Sequence, residues 1–94
     1  MIEVRRVADD EPLQFEVIVR EGNTDTCHRV TMSRDASRRL TADRHSPERC
    51  IEAAFRFLLD REPKESILTR FDVEVISRYF PEFERELPRY LSDG

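Results

Sequence analysis

Two cysteines and two histidines are the side chains of this chain with the greatest potential for metal or nucleophilic chemistry. Structural zinc sites draw their thiolate and imidazole ligands from closely spaced pairs. The chain instead has one adjacent pair, Cys27 and His28, and two separate residues, His45 and Cys50. Adjacent strand residues point to opposite faces, and neither cysteine lies in a nucleophile motif. The sequence therefore predicts no metal site and no thiol catalysis.

Other catalytic arrangements have no better support in the sequence. Gly22 and Gly94 are the only glycines, so a glycine-rich phosphate-binding loop cannot be built. The carboxylates are dispersed along an acidic chain and form no distinct pair that could act as acid and base. We therefore expect a protein that is not an enzyme and that needs no cofactor.

A basic segment, residues 34–49, holds the clearest local excess of positive charge. It contains five basic and three acidic residues, whereas the whole chain has 16 basic and 20 acidic residues and a net charge of −4. Clustered arginines bind phosphate backbones and other anions, which makes five residues a possible anion or nucleic-acid patch: Arg34, Arg38, Arg39, Arg44 and Arg49. Because the chain is acidic overall and no aromatic residue lies among these arginines, we favour a solvated connection over a dedicated nucleic-acid site.

Aromatic residues are concentrated in the last forty residues, where seven of the eight occur on helical spacings interrupted by three prolines. Four of them are placed to build the core around one amphipathic helix: Phe55, Phe57, Phe71 and Phe80. The other three form a possible partner surface around two of the prolines: Tyr79, Phe83 and Tyr90. In the alternative interpretation all seven are core residues, which is the commoner outcome for such a pattern.

The composition indicates one small, soluble, globular domain that spans residues 1–94. Hydrophobic and charged residues each make up 38% of the chain, which is too apolar for a disordered protein and too charged for a membrane protein. Charged residues interrupt every candidate leader sequence near Met1, so we expect a cytoplasmic protein. In that reducing compartment Cys27 and Cys50 are expected to be buried thiols rather than a disulfide bridge.

The first third of the chain alternates apolar and polar residues with the period of β-strands. Residues 2–5, 13–20 and 26–32 show this alternation, and a turn-forming stretch at 21–25 separates the last two. Alternation places four side chains on one inward face of the second strand: Leu13, Phe15, Val17 and Val19. Residues 1–32 are therefore predicted to form a three-stranded antiparallel β-meander with one face in water.

Helix signals replace the strand pattern from Ser33 onward. Ser33 is a suitable N-cap for a short helix over residues 34–41, and Ser46 followed by Pro47 marks a second helix start. The helix from Pro47 to about residue 61 carries apolar residues on more than half of its circumference. We expect this helix to lie between the sheet and the remaining helices.

Prolines divide the rest of the chain into short pieces. Residues 65–68 have the pattern of a short helical segment after Pro63. Asp72 is a candidate N-cap for the next helix. That helix is expected to stop or kink at Pro81, because a proline disfavours helical dihedrals in the residue before it.

The final helical piece completes the predicted architecture. It starts at residues 81–84 and is expected to stop at Pro88, with residues 92–94 as a tail. The predicted fold is α+β, in which the β-meander of residues 1–32 packs against a C-terminal bundle of three to four short helices in residues 33–91.

One part of the chain resembles a group of short bacterial proteins that carry no assigned function. The resemblance rests on REPKESIL at residues 61–68, on Phe71-Asp72 and on ISRYFPEF at residues 76–83, with FLL at 57–59 also in agreement. It extends over residues 46–83 and more loosely over the strands. It implies a bacterial cytosolic protein and transfers neither an activity nor site residues.

Two functional hypotheses from different classes remain. The first is a small non-enzymatic interaction or regulatory module that self-associates or holds an unknown protein partner, through a sheet edge or the aromatic surface of Tyr79, Phe83 and Tyr90. The second is nucleic-acid or anion binding through the basic segment, which we do not favour. Neither hypothesis involves a membrane.

Overall fold

A four-stranded sheet forms one layer of the protein, and helices pack against one of its faces. The computed structural model describes residues 1–92. Three antiparallel strands follow one another in chain order: β1 (Ile2–Ala8), β2 (Leu13–Glu21) and β3 (Thr24–Met32). A fourth strand, β4 (Arg70–Asp72), joins β3 in parallel and gives the order β1-β2-β3-β4. The α+β class predicted from the sequence is confirmed.

Alternation along the strands sets the two faces of the sheet. The inward residues of β2 are fully buried, as predicted: Leu13, Phe15, Val17 and Val19. On the opposite face, Arg5 Nη2 lies 2.7 Å from Glu16 Oε1 on the neighbouring strand. Gly22 has a φ of 64° in the two-residue turn between β2 and β3, a left-handed conformation that favours glycine. The antiparallel meander of β1 to β3 is therefore confirmed.

Two capped helices follow β3 where the sequence predicts them: α1 (Arg34–Thr41) and α2 (Pro47–Leu59). The Ser33 hydroxyl accepts a hydrogen bond of 3.0 Å from the amide of Ala36, and the Ser46 hydroxyl accepts one of 3.1 Å from the amide of Arg49. α2 contacts β1, α1 and the last helix, α4 (Phe83–Ser92). It therefore lies between the sheet and other helices, as its wide apolar surface predicts.

The strand β4 is missing from the sequence-based prediction, which places only helical pieces after β3. Val30 of β3 pairs with Phe71 of β4, and the Arg29 amide donates to the Thr69 carbonyl at 2.8 Å. Three residues are too few to display a period of two, so the pairing leaves no local signal. The predicted three-stranded meander is corrected to a four-stranded mixed sheet.

Two 3-10 turns and one short helix occupy the rest of the chain between α2 and α4: Lys64–Ser66, Val73–Val75 and α3 (Ile76–Tyr79). Asp72 caps the second turn, since its Oδ2 accepts a hydrogen bond of 3.1 Å from the amide of Glu74. Phe80 ends α3 with φ −130° and ψ 88°, which lies outside the helical region that a following proline disfavours. The predicted helical segment at 65–68 is reduced to the first 3-10 turn.

The last helix, α4, passes through Pro88, so the prediction that it stops there is wrong. Proline lacks an amide proton and leaves one helical carbonyl without its donor. Packing offsets that loss, because Leu91 beyond the proline is only 5% exposed. Arg49 and Arg56 of α2 each donate to the carbonyl oxygen of Tyr90 at 3.2 Å and so cap the end of the helix.

The described part of the chain ends with α4. Ser92, which the sequence assigns to a tail, is the last residue of that helix, and residues 93–94 lie outside the described range. Within residues 1–92, every helix falls short of the length and apolar character needed to cross a membrane.

Candidate functional site

An apolar groove opens beside the C-terminal end of α2, where the chain continues through β4 into α3. Its cavity volume is about 320 Å³, at the lower end of the range usual for ligand sites. We call it the apolar groove, and ten residues line it: Leu58, Glu62, Ser66, Ile67, Leu68, Phe71, Val75, Ile76, Tyr79 and Phe80.

Two large hydrophobic side chains of the apolar groove are open to solvent. Leu68 is 48% exposed and Tyr79 is 67% exposed. In the described part of the chain only Met1 and Val7 are comparable, and neither belongs to the groove lining. Exposed apolar side chains beside an apolar cavity are typical of surfaces that bind a ligand or a partner.

Extended backbone after the first 3-10 turn gives the groove both a buried wall and an open rim. Ile67 has φ −74° and ψ 133°. Successive residues of an extended segment point to opposite sides. Ile67 is accordingly 4% exposed and belongs to the core, whereas the neighbouring Leu68 is half exposed. β4 then places Phe71 in the lining by pairing with β3.

A buried histidine supports the Leu68 side of the groove. His28 Nδ1 lies 2.7 Å from the carbonyl oxygen of Leu68, and because a carbonyl oxygen only accepts, Nδ1 carries the proton. His28 Nε2 lies 2.9 Å from the Thr26 hydroxyl. Ring contacts continue from His28 to Phe55 at 5.3 Å and from Phe55 to Phe71 at 6.0 Å between centroids. The groove is therefore supported by the core.

Glu62 is the only acidic residue in the groove lining. Its side chain is half-buried, and burial raises the pKa of its carboxyl above the usual value because the charged form loses hydration. Two cations close by in sequence face other carboxylates, Arg61 at 3.0 Å from Glu82 and Lys64 at 2.8 Å from Glu65. Among residues 1–92 the Glu62 carboxylate has no ion-pair or hydrogen-bond partner.

Arg39 of the basic segment connects α1 to two other parts of the fold. Its Nη2 lies 2.6 Å from Glu74 Oε1 and its Nη1 lies 2.6 Å from Glu84 Oε1. These contacts raise the pKa of the Arg39 guanidinium, first through the hydrogen bond to Glu84. The guanidinium thus already binds two carboxylates of its own chain.

Arg49 is the least exposed arginine of the basic segment, with 19% of its side chain exposed. It donates to Glu52 Oε1 at 2.8 Å and to the carbonyl oxygens of Tyr90 and Leu91 at 3.2 and 3.0 Å. Its role in the structure is to tie the C-terminal end of α4 to α2.

The remaining arginines of the basic segment are exposed. Arg34 donates to the carbonyl oxygen of Asp9 at 2.5 Å, and Arg38 pairs with Asp35 one turn away in α1. Arg44 lies in the connection between α1 and α2. Most of the predicted patch therefore faces oxygens of the same chain, which compete with any external anion. Nucleic-acid binding by this segment stays a prediction.

The structure separates the three residues of the predicted partner surface. Tyr79 lies at the rim of the apolar groove. Phe83 is only 1% exposed and packs against Phe57 with ring centroids 5.0 Å apart, so its assignment to a surface is wrong. Tyr90 is half-buried and donates its hydroxyl proton to Asp60 Oδ2 at 2.5 Å. Only Tyr79 is placed to meet a partner through an open apolar face.

The cysteines and histidines lie in different environments. Both cysteines are free thiols. Cys27 is exposed, which corrects the expectation that it is buried, whereas Cys50 is buried and desolvation raises its pKa to about 12. His28 lies in the core and His45 is exposed. No group of three or more His, Cys, Asp or Glu residues in the described chain could hold a metal ion.

The sequence does not predict most of the residues that line the groove as site residues. Phe71 and Phe80 are assigned there to the core, yet both are half-buried and line the cavity. Leu68 and Glu62 carry no assignment beyond the segments that contain them. The adjacent Ile67 and Leu68 offered one usable signal, because two apolar neighbours cannot both face the core from an extended segment.

Comparison with protein-family models, with curated proteins and with solved structures finds no match to this chain. The resemblance to short bacterial proteins therefore stays a prediction.

Proposed function

We propose that this protein is a small, non-enzymatic interaction module that holds apolar side chains of a protein partner in the apolar groove. The observation that carries the proposal is the exposure of Leu68 and Tyr79 beside a cavity whose walls are already formed by the core. A partner that covers these side chains removes apolar surface from water, a favourable contribution of about 25 cal/mol per Å² that must exceed the entropic cost of association.

A polypeptide segment is the occupant that best suits the groove. Amphipathic segments bind by inserting apolar side chains into grooves of this kind, and the exposed rim residues Leu68 and Tyr79 add contacts outside the cavity. Ligands recognised through phosphate are a poor match, because the lining contains the carboxylate of Glu62 and no lysine or arginine.

We further propose that the protein works in the cytoplasm of a bacterium. The resemblance of residues 46–83 to short bacterial proteins supports the source. The exposed free thiol of Cys27 supports the compartment, because thiols on protein surfaces persist under reducing conditions.

Selection of short random peptides displayed on phage, with the whole chain as immobilised target, tests the proposed function. We expect peptides that are retained by the wild type and are lost in the variants Leu68→Glu and Tyr79→Glu, because either carboxylate would be desolvated by an apolar ligand. Val7→Glu is the matched control, since Val7 is an exposed hydrophobic residue outside the groove lining.

The controls decide between groove binding and nonspecific retention. If Val7→Glu loses the same peptides, or if Leu68→Glu and Tyr79→Glu keep them, the groove is not the binding site and the proposal fails. Sedimentation equilibrium of the same variants tests self-association. A dimer that Tyr79→Glu abolishes and Val7→Glu preserves would make a second copy the occupant and overturn the assignment to a different protein.

A further inference from the structure

The unpaired carboxylate of Glu62 carries information about what the apolar groove binds. The amide of Glu62 donates to the carbonyl oxygen of Leu58 at 2.9 Å, so the backbone of this residue is held by the last turn of α2. Glu62 is one of the ten residues that line the groove, and it is half-buried there. A partner seated in the groove must therefore accommodate this carboxylate.

The cations nearest in sequence to Glu62 are already engaged. Arg61 pairs with Glu82 at 3.0 Å and stacks over the Phe57 ring at 3.7 Å from its centroid. Lys64 is buried and pairs with Glu65 at 2.8 Å. Both would lose established contacts if they turned toward Glu62. Neither of these two cations neutralises Glu62 in this structure, which leaves its carboxylate open to a cation of a partner.

From these contacts we infer that the apolar groove selects a protein segment in which a lysine or arginine adjoins the apolar side chains, and that Glu62 pairs with that cation. The inference rests on the proposed function of the groove. A bound segment would remove more water from Glu62, and an unpaired buried carboxylate is costly. A basic residue offsets this cost, whereas a wholly apolar or acidic segment does not.

The selected peptides provide the test. Peptides retained by the wild type should combine apolar residues with a lysine or arginine at a constant spacing. For a synthetic copy of such a peptide, Glu62→Gln should weaken binding about tenfold, which corresponds to 1.4 kcal/mol. Glu62→Lys should weaken it further, because two like charges would then meet. Asp10→Asn is the matched control, since it removes one exposed carboxylate outside the groove.

A double-mutant cycle separates direct pairing from a general charge effect. Replacing the basic residue of the peptide by norleucine should weaken binding to the wild type, and Glu62→Gln should then add little further loss. Peptides that need Leu68 and Tyr79 but lack a basic preference, or bind Glu62→Gln as well as wild type, overturn this inference and leave the proposed function standing. Equal losses in Asp10→Asn and Glu62→Gln also overturn it. A library without any groove-dependent peptide overturns both.

Discussion

The basic segment and the apolar groove differ in how far folding has already satisfied their side chains. In the basic segment, Arg39 binds two carboxylates, and Arg49 binds one carboxylate and two carbonyl oxygens of α4. In the groove, Leu68 and Tyr79 face solvent. A cluster of charged residues in the sequence is therefore a poor guide to a binding site. A side chain can bind a partner only through groups that have no contact within the folded chain.

Net charge alone would have ranked the two regions in the opposite order. The arginines of the basic segment stand out in composition, but several of them already face carboxylate or carbonyl oxygens of the same chain and are less available to neutralise phosphates. The groove has one ionisable carboxylate, Glu62, and that group lacks a partner among residues 1–92. One unpaired charge in an apolar setting carries more information on specificity than several paired charges at the surface.

Truncation of Phe55 should have the largest effect and should damage the groove from below. Phe55 is fully buried between His28 and Phe71, so Phe55→Ala should cost about 4 kcal/mol of unfolding free energy and weaken peptide binding. Leu40→Ala in α1 should cost about 2 kcal/mol and leave binding unchanged, since Leu40 is outside the groove lining. Urea denaturation and peptide titration measure the two quantities.

If Phe55→Ala fails to fold, the milder change Phe55→Leu allows stability and peptide binding to be compared with the wild type. It should lose less stability and still weaken peptide binding. Wild-type affinity in Phe55→Leu would show that the groove does not depend on this ring contact.

Arg49 tests whether the basic segment serves the fold. Arg49→Ala removes three hydrogen bonds of a largely buried guanidinium and should cost about 2 kcal/mol in urea denaturation. Arg38→Ala removes an exposed pair within α1 and should cost no more than about 0.5 kcal/mol. Arg49→Lys should recover only part of the loss, because an ammonium lacks the planar fork that reaches separate acceptors.

Binding of nucleic acid by the basic segment would contradict the contrast drawn between this segment and the apolar groove. We expect wild-type protein to show no strongly salt-dependent retention on a mixed panel of RNA and DNA. Suppose that the wild type is retained, that retention falls steeply with added salt, and that Arg38→Glu and Arg39→Glu are not retained. The basic segment would then bind phosphates despite its intramolecular contacts.

His28 should link core stability to the shape of the groove. His28→Phe keeps a ring against Phe55 but leaves the Leu68 carbonyl without its donor, so it should cost about 1.5 kcal/mol and weaken peptide binding. Thr26→Val removes only the contact at Nε2 and should leave peptide binding unchanged. Equal binding by His28→Phe and the wild type would show that Leu68 needs no support from β3.

Local signals explain which elements could be predicted from the sequence. Ser33 and Ser46 cap their helices through their own side chains, and the alternation of β2 follows from residues next to one another. Such features depend on a few neighbouring residues. Their boundaries could therefore be placed before any tertiary contact was known.

Nonlocal contacts explain what could not be predicted. β4 exists because Phe71 meets Val30 of β3, and α4 continues past Pro88 because α2 buries Leu91 and caps the helix end. The groove depends on the same kind of contact, since the exposure of Leu68 reflects how β4 docks. Of the predicted partner surface only Tyr79 lies at the groove, because α4 turns Phe83 into the core.

The smallest expected effect concerns Glu62 and the nearby Glu65. Replacing each by glutamine should change the free energy of unfolding in opposite directions near neutral pH. Burial raises the folded-state pKa of Glu62, so the native protein binds this proton more tightly than the unfolded chain does. The ionised carboxyl therefore lowers the free energy of unfolding. This loss is absent at a pH well below the pKa of Glu62 in the unfolded chain and is fully present above its pKa in the folded protein. Glu62→Gln should therefore stabilise the fold near neutral pH by no more than about 0.5 kcal/mol, and the gain should vanish in acid.

Glu65 supplies the control of opposite sign. Its hydrogen bond from Lys64 lowers the pKa of the Glu65 carboxyl, so this group stabilises the fold above its unfolded pKa and loses that contribution as pH falls through the folded value. Glu65→Gln should thus destabilise the protein near neutral pH and have little effect in acid. Urea denaturation of both variants across the acidic range measures the two trends. A stability loss in Glu62→Gln at neutral pH would mean that its carboxylate already has a favourable partner, and would remove the contrast between the groove and the paired surface around it.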